Sequence, residues 1–366
     1  MLHVGLPKTG TTYLQALLTG HRDELRGRGV LYPFLRPGGM FHAAVEVRGS
    51  HDKFGLDPAI IAGSWAALCA LAREYEGTTV ISHEILGGAT AAEIGGALAP
   101  FAGLEVHVVV TARDLGRQAT AHWQEEVKLG DPRSFADFER DQFRADGPAA
   151  PRPHFWYAQD YRDALRRWTT SVPVERVHLV VCPPAGAPLG ALWRRFADAL
   201  GVEAGVLDAR SPGDRVNASL GTTEIALLRG VNAALDGDLS AADRARVVKR
   251  MFAEGVLASR AGTPPKTPAP LVALLDEVTR AWLPAIEAAG HPVHGDLADL
   301  LPAAPPTGTP HPDEVADAAT AATATTALAD VLMRFATATP QGDLERSAAP
   351  GPTRRGAWTP RRRRLR

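Results

Sequence analysis

The sequence LHVGLPKTGTTYLQALL, residues 2–18, joins a short apolar segment to a leucine-rich one through two glycines. Its apolar start, residues 2–6, predicts a strand, and the spacing of the later leucines predicts a helix. Gly5 and Gly10 lie between the two and let the backbone turn tightly. A helix that begins after such a turn exposes its first amide N–H groups and the positive end of its dipole. The stretch therefore predicts an anion-binding loop.

The lysine of this loop lies at a different position from the lysine of loops that bind nucleoside triphosphates. That motif, G-x-x-x-x-G-K-[ST], places lysine directly after the second glycine, where this chain has Thr11. Lys8 lies inside the loop instead, so its ammonium group would reach over the anion, near a bridging oxygen. Pro7 stiffens the turn. Thr9, Thr11 and Thr12 supply hydroxyl donors.

Strands and helices alternate over the first part of the chain. Apolar segments predict strands at 29–33, 78–82, 104–112 and 176–182. The alternation indicates βαβ units in a mostly parallel sheet, and the continuously apolar strands indicate helices on both faces. We expect an α/β, P-loop-type three-layer fold.

One domain is predicted over residues 1–302. Residues 1–207 form its α/β core, and residues 208–302 are mostly helical. Over 303–366 the composition shifts to Ala, Thr and Pro and ends in a run of arginines. One helix is predicted at 313–338, and most of the remaining tail is expected to be disordered.

Composition narrows the classes of function. A net charge of -1 over 366 residues provides no basic surface for nucleic acid. Cys69 and Cys182 are too far apart in sequence to suggest a disulfide framework or a zinc site. No apolar run is long enough for a membrane span, and a strand at the start leaves no room for a signal peptide. We expect a cytoplasmic protein, and the sequence does not indicate its oligomeric state.

The segment GLPKTGTTYLQALL resembles the 5′-phosphosulfate loop of sulfotransferases that use 3′-phosphoadenosine 5′-phosphosulfate (PAPS). The loop of that family reads P-K-[ST]-G-T-T-[WY]-L, and this chain matches it through Leu14. The resemblance implies that Lys8 contacts the oxygen that bridges phosphate and sulfate. It also implies that Gly10, Thr11 and Thr12 bind the 5′-phosphate.

The same resemblance makes PAPS the cosubstrate, held by a loop that includes Pro7 and Thr9. It implies a P-loop-type parallel sheet, in agreement with the alternation of strands and helices. No metal ion is expected, because a sulfuryl group carries less charge than a γ-phosphoryl group and a lysine can replace the metal.

The family binds the 3′-phosphate of PAPS with an arginine at the end of a central strand and a serine about two helical turns later. Arg113 follows the strongest predicted strand, and its guanidinium suits bidentate phosphate binding. Ala121 stands where the family has serine, so only the arginine carries over. The alternative for Arg113 is a surface ion pair with Asp114 or another neighbouring residue. On the following helix, Gln124 or Glu125 could reach the site only if the helix turns that face inward.

A general base is expected after the strand at 78–82. His83 and Glu84 follow it, and only one of them should face the pocket because successive strand residues point to opposite sides. His83 shares the strand parity of Ile81, which favours Glu84 as the base. A purely structural role at the strand end is the alternative for both.

The sequence thus predicts transfer of a sulfuryl group from PAPS to a hydroxyl or amine of a small-molecule, sugar or lipid acceptor. The nucleotide and this acceptor are the expected partners. One alternative is a nucleotide-binding module without transfer activity. A P-loop kinase or NTPase is less consistent with the motif, because it needs a lysine after Gly10 and a carboxylate that holds a metal. Arg215 and Asn217, in a late loop, are further candidates to close over the nucleotide.

Overall fold

The computed structural model describes residues 1–143, 153–208, 219–260 and 262–338. Three predicted features lie outside these residues: the pair Arg215 and Asn217, the arginine run at the end of the chain, and most of the tail predicted to be disordered.

The central sheet has five strands, and its neighbouring strands are all parallel. The strands of the described chain are β1 (Leu2–His3), β2 (Val30–Leu31), β3 (Thr78–Thr79), β4 (Ile81–Ser82), β5 (Val108–Ala112), β6 (Val177–Val181) and β7 (Val293–His294). The order in the central sheet is β4-β1-β5-β6-β7, and β2 pairs with β3 in a separate parallel pair. The prediction of a mostly parallel α/β sheet is confirmed.

Each predicted strand is present in a shorter form. The segment 78–82 is divided at Val80, whose N–H donates to Leu31 O (2.8 Å). Its first half therefore pairs with β2 and its second half with β1. The strand β7 was not predicted, because two residues carry no periodic signal. It pairs with β6 at the edge of the sheet, so residues 208–302 are not entirely helical.

Helices connect these strands and fill the later part of the chain. They are α1 (Thr11–Gly20), α2 (Arg22–Arg26), α3 (Gly39–Val47), α4 (Pro58–Ile61), α5 (Ser64–Glu74), α6 (Ala91–Leu98), α7 (Leu115–Lys128), α8 (Phe135–Phe143), α9 (His154–Gln159), α10 (Tyr161–Thr169), α11 (Ala191–Leu200), α12 (Thr222–Leu235), α13 (Ala241–Asp243), α14 (Ala269–Ala289) and α15 (Asp317–Ala338). A π-helix follows α13 at Arg244–Glu254. Among the described residues, no helix is long and apolar enough to cross a membrane.

Helices cover both faces of the sheet because its central strand is apolar on both. Val108 and Val110 of β5 belong to one buried cluster, together with Trp123 of α7 and Trp168 of α10. Val109, between them, belongs to a second cluster that contains the leucines of α1 and the aromatic residues of α11. Successive strand residues point to opposite faces, so the two clusters lie on opposite sides of the sheet. The chain thus has the three layers that the sequence predicted.

The helix α15 falls within the predicted span 313–338 and packs on the rest of the chain. Arg260 donates from Nη2 to Asp330 Oδ2 (2.5 Å), and Arg334 donates to Gly255 O (2.6 Å). Just before α15, the carboxylate of Asp313 accepts hydrogen bonds from the first amides of α8. These contacts join the described part of the tail to the preceding helices.

Candidate anion-binding site

The loop after β1 lies at the carboxyl end of the parallel sheet. Because β1 is flanked by β4 and β5, the residues that follow these three strands meet at one edge. They are the loop itself, His83 and Glu84 after β4, and Arg113 after β5. The fold therefore places the loop, the base candidates and the arginine beside one another.

The loop backbone contains three residues with positive φ: Gly5 (47°), Lys8 (67°) and Gly10 (82°). A Cβ at Gly5 would lie 2.6 Å from Cγ2 of Thr11, and a Cβ at Gly10 would collide with Leu192. Lys8 does carry a side chain in this left-handed region, which costs on the order of 1 kcal/mol. Such strain is concentrated at binding and catalytic sites.

The carbonyl groups of the loop are occupied by the protein scaffold. Each accepts a hydrogen bond from a side chain: Leu6 O from Thr9 Oγ1 (2.7 Å), Pro7 O from Gln118 Nε2 (2.9 Å) and Gln159 Nε2 (3.2 Å), Lys8 O from Arg113 Nη1 (3.2 Å), and Thr9 O from Cys182 Sγ (3.0 Å). The carbonyls therefore point toward the scaffold and away from the concave side of the loop.

The amide groups of the loop have no such partners. Within the described chain, the backbone N–H groups of residues 8–12 donate to no protein acceptor, whereas Leu14 N–H bonds back to Gly10 O (3.1 Å). These amides surround the start of α1, where the helix dipole adds positive potential. Free amides that follow residues with alternating backbone conformation form a nest for an anion.

The side chain of Lys8 forms an ion pair with Glu125 of α7. The same carboxylate accepts a hydrogen bond from Lys249 Nζ (2.5 Å). Burial alone would raise the pKa of Glu125, but the two lysines outweigh burial and lower it to about 2. Burial lowers the pKa of Lys128, and Lys8 adds to that effect. Lys8 and Lys249 thus pair with Glu125, and Lys128 and Glu254 lie near them. Three lysines and two glutamates leave this region with an excess of positive charge.

Arg113 has no carboxylate partner among the described residues. It donates to the loop at Lys8 O, and its Nε is buried without an acceptor there. Asp114 instead caps α7, accepting from Arg117 N–H (2.8 Å) and pairing with the Arg117 side chain. The ion pair between Arg113 and Asp114, the alternative weighed from the sequence, is not formed. Burial lowers the pKa of Arg113, and the nearby Arg117 lowers it further.

Glu84 is the base candidate that lies against the loop. The Cβ of Glu84 lies 3.5 Å from the position that a Cβ would take at Gly5. Its Oε2 accepts a hydrogen bond from Gln15 Nε2 of α1 (3.2 Å). The His83 ring packs against Phe41, with 5.5 Å between ring centroids, and its Nδ1 accepts from Ile85 N–H (3.3 Å) and lies 3.8 Å from Glu84 Oε2.

The protonation of the pair suits a carboxylate base. Burial raises the pKa of Glu84, but the His83 ring, backbone amides and Gln15 outweigh burial, so the net shift is downward. Burial lowers the pKa of His83. Because His83 Nδ1 accepts a hydrogen bond, its neutral ring carries the proton on Nε2 and offers a donor there. Glu84 is thus ionised and able to accept a proton at neutral pH.

The three loop threonines differ in what they can offer a ligand. The Thr9 side chain is fully buried, bonded to Leu6 O and to Thr111 Oγ1 (2.6 Å). Its predicted role as a hydroxyl donor is therefore wrong, because the hydroxyl holds the loop together and only its amide remains available. Thr11 is also buried, whereas Thr12 is half-buried on the first turn of α1.

Sequence reasoning found the loop, Arg113 and Glu84 but not the residues that hold them. Gln118 and Gln159 bind the loop from α7 and α9, and Lys249 completes the lysine group from the π-helix. No local pattern marks them, since they meet the loop only through tertiary packing. Glu125 does turn inward, and Ala121 provides no donor in place of the missing serine.

Comparisons of the chain with protein-family models, curated proteins and solved structures found no match.

Proposed function

We propose that this chain transfers the sulfuryl group of PAPS to a hydroxyl or amine group of an acceptor. The observation that carries the proposal is the orientation of the loop: its carbonyls bind the scaffold, and its amides at residues 8–12 have no acceptor in the described part of the chain. A 5′-phosphate is the kind of group that free amides at a helix N-terminus bind. Arg113, which pairs with no carboxylate of the residues that the structure describes, provides a second cation for the 3′-phosphate.

The transfer step follows from these positions. The acceptor oxygen or nitrogen forms a bond to sulfur while the bond from sulfur to the bridging oxygen breaks. Glu84 takes the proton of the acceptor, and 3′-phosphoadenosine 5′-phosphate leaves with the electron pair of the broken bond. Lys8 and the loop amides stabilise the negative charge that grows on the leaving oxygen. Before this step, the Lys8 ammonium must exchange Glu125 for the nucleotide.

A nucleotide-binding module without transfer activity is the second candidate. The observation that favours it is the combination of Ala121 with a Lys8 side chain that is held by Glu125. Such a module would bind the bisphosphate and release no sulfated product. A kinase or NTPase is the weakest candidate, because Thr11 occupies the position of the lysine that the triphosphate motif requires.

A thermal-shift titration tests ligand binding first. Wild type, Lys8→Ala and the exposed-lysine control Lys53→Ala are each titrated with 3′-phosphoadenosine 5′-phosphate, 5′-AMP and ATP–magnesium. We expect stabilisation by the bisphosphate, retained in Lys53→Ala and lost in Lys8→Ala. An equal response to AMP would show that the 3′-phosphate is not recognised. No response to any nucleotide would overturn the proposal.

Turnover then separates the two candidates. The chain is incubated with PAPS and panels of phenols, sugars and hydroxylated lipids, and release of the bisphosphate and sulfated products is measured. Product formation that Glu84→Gln abolishes supports the transferase. Bisphosphate binding without any product supports the module.

A further inference from the structure

A second group of polar side chains lies on α7 and α9, on residues that the proposed transfer does not use. It consists of His122, Glu126 and His154, referred to below as the His–Glu–His cluster. His122 and Glu126 are four residues apart on α7 and therefore share one face of the helix. His154 begins α9 and approaches them from a different part of the chain.

The three possible ligand atoms converge on one point. His122 Nε2 lies 3.0 Å from His154 Nδ1 and 3.3 Å from Glu126 Oε1, and His154 Nδ1 lies 3.4 Å from the same oxygen. All three atoms are thus mutual neighbours. Ligands about 2.0–2.1 Å from a metal are about 3.3–3.4 Å apart in a tetrahedron and about 2.9 Å apart in an octahedron. The observed separations fall in this range.

Hydrogen bonds alone satisfy this triangle poorly. A neutral imidazole carries one N–H, and the carboxylate carries none. If both ring nitrogens carry protons, each can donate to Glu126 Oε1, but the two N–H groups then oppose each other across the 3.0 Å contact. If one histidine donates to the other, the accepting nitrogen has no proton for Glu126. A cation at the centre would instead accept a lone pair from each of the three atoms.

The surroundings hold the cluster in place. Glu126 directs Oε1 to the histidines, while its Oε2 accepts from Arg133 Nη2 (3.0 Å). Arg133 is itself fixed by Asp131 and Asp141. Hydrogen bonds of this kind to the outer oxygen of a carboxylate orient metal ligands in known sites.

The His122 ring is packed among aromatic residues. Its centroid lies 5.5 Å from that of Phe155 and 6.0 Å from that of Phe138. The His122 side chain is 6% exposed and that of His154 is 50% exposed. The site is therefore rigid on the α7 side and open to solvent at His154, which gives an ion a path of entry and leaves a coordination position for water.

We propose that His122, Glu126 and His154 form a binding site for Zn²⁺ or a related divalent transition metal. Two imidazoles and one carboxylate suit this class of ion, whereas Mg²⁺ and Ca²⁺ prefer oxygen ligands alone. The sequence by itself predicts no metal site, because its two cysteines lack ligand spacing and a lysine can replace magnesium. It has no means to place His154, 32 residues beyond His122, beside α7.

Zinc titration of the full chain, without an affinity tag and after removal of metals by EDTA, tests the site. We compare wild type with His154→Ala and Glu126→Gln, and we use His51→Ala, a histidine outside the cluster, as the matched control. We expect one Zn²⁺ per chain in wild type and His51→Ala by calorimetry, with an increase of Tm on zinc addition. Both cluster variants should bind at least tenfold more weakly.

His154 is half exposed and Glu126→Gln keeps the side-chain shape, so both variants should fold; far-UV circular dichroism checks this. The proposal would be overturned if wild type bound no zinc when one equivalent of Zn²⁺ is added. It would also be overturned if the cluster variants bound zinc as tightly as wild type does. The measurement uses no nucleotide, so its outcome is independent of the sulfuryl-transfer proposal.

Discussion

Lys8 in the loop after β1 and Glu125 on α7 form an ion pair although 117 residues separate them. Glu125 holds Lys249 as well, so one carboxylate neutralises part of the charge of two lysines. The proposed nucleotide would offer Lys8 a phosphosulfate oxygen instead. Glu125 therefore occupies the loop lysine before the nucleotide binds, and the nucleotide would have to displace it.

Removing this competitor should tighten nucleotide binding. In Glu125→Gln the amide keeps the side-chain shape but loses the negative charge that attracts Lys8. We expect the Kd for 3′-phosphoadenosine 5′-phosphate to fall about three- to tenfold, which corresponds to about 1 kcal/mol for a partly exposed ion pair. Isothermal titration calorimetry measures the change, with the exposed carboxylate variant Glu24→Gln as control. Weaker binding in Glu125→Gln would show that Glu125 positions Lys8 for the ligand.

Arg113 should decide whether the 3′-phosphate is recognised. Loss of its guanidinium in Arg113→Ala removes a charged hydrogen-bonding partner, worth about 1.5–3 kcal/mol. The Kd for the 3′,5′-bisphosphate should therefore rise about 10- to 100-fold, while that for 5′-AMP changes much less.

The control for this experiment is Arg28→Ala, which removes an exposed arginine. Arg113 also holds the loop at Lys8 O, so equal losses for both nucleotides would assign it a structural role. The ratio of the two affinities distinguishes ligand recognition from support of the loop.

Glu84 and His83 should contribute unequally to transfer. Glu84 lies against the loop and is ionised, whereas the Nδ1 atom of His83 binds Ile85 N–H. Glu84→Gln should lower kcat for transfer by about 10²–10⁴-fold, the usual contribution of a general base. His83→Gln should lower kcat less than tenfold. Bisphosphate affinity should remain near wild type in both variants, since neither side chain is proposed to bind phosphate. A larger loss of kcat in His83→Gln than in Glu84→Gln would make His83 the general base instead of Glu84.

The loop could be predicted from the sequence because its information is local. Gly5 and Gly10 are required by positive φ and close contacts, and the leucines of α1 are required by the core on one face of the sheet. The position of Arg113 directly after a strand could be predicted because that strand, β5, is apolar on both faces. These features follow from a few neighbouring residues.

The rest of the site depends on contacts between distant parts of the chain. Thr9 looks like a ligand donor in the motif, yet its hydroxyl is used by Thr111 on β5. Gln118, Gln159 and Lys249 have no motif of their own and meet the loop only in the folded chain. Periodicity and spacing cannot reveal such side chains.

His3, beneath the loop, should make stability depend on pH. It is 1% exposed, and burial lowers its pKa to about 4, an effect that the Glu84 carboxylate only partly offsets. The unfolded chain binds a proton there near pH 6.5, so it holds more protons than the folded chain between pH 6.5 and 4. Stability is therefore complete above pH 6.5 and falls as the pH decreases.

Urea unfolding at pH 7.5 and pH 5 measures this effect. The contribution of His3 to the loss should be about 2 kcal/mol, calculated from the two pKa values. His3→Gln removes the titrating group, so its loss over this range should be smaller by that amount. The range avoids Glu125 and Glu126, whose lowered pKa values of about 2 reduce stability only below pH 4.5. If wild type and His3→Gln lose the same free energy of unfolding, His3 takes up its proton equally in the folded and unfolded chains, and it does not remain neutral within β1.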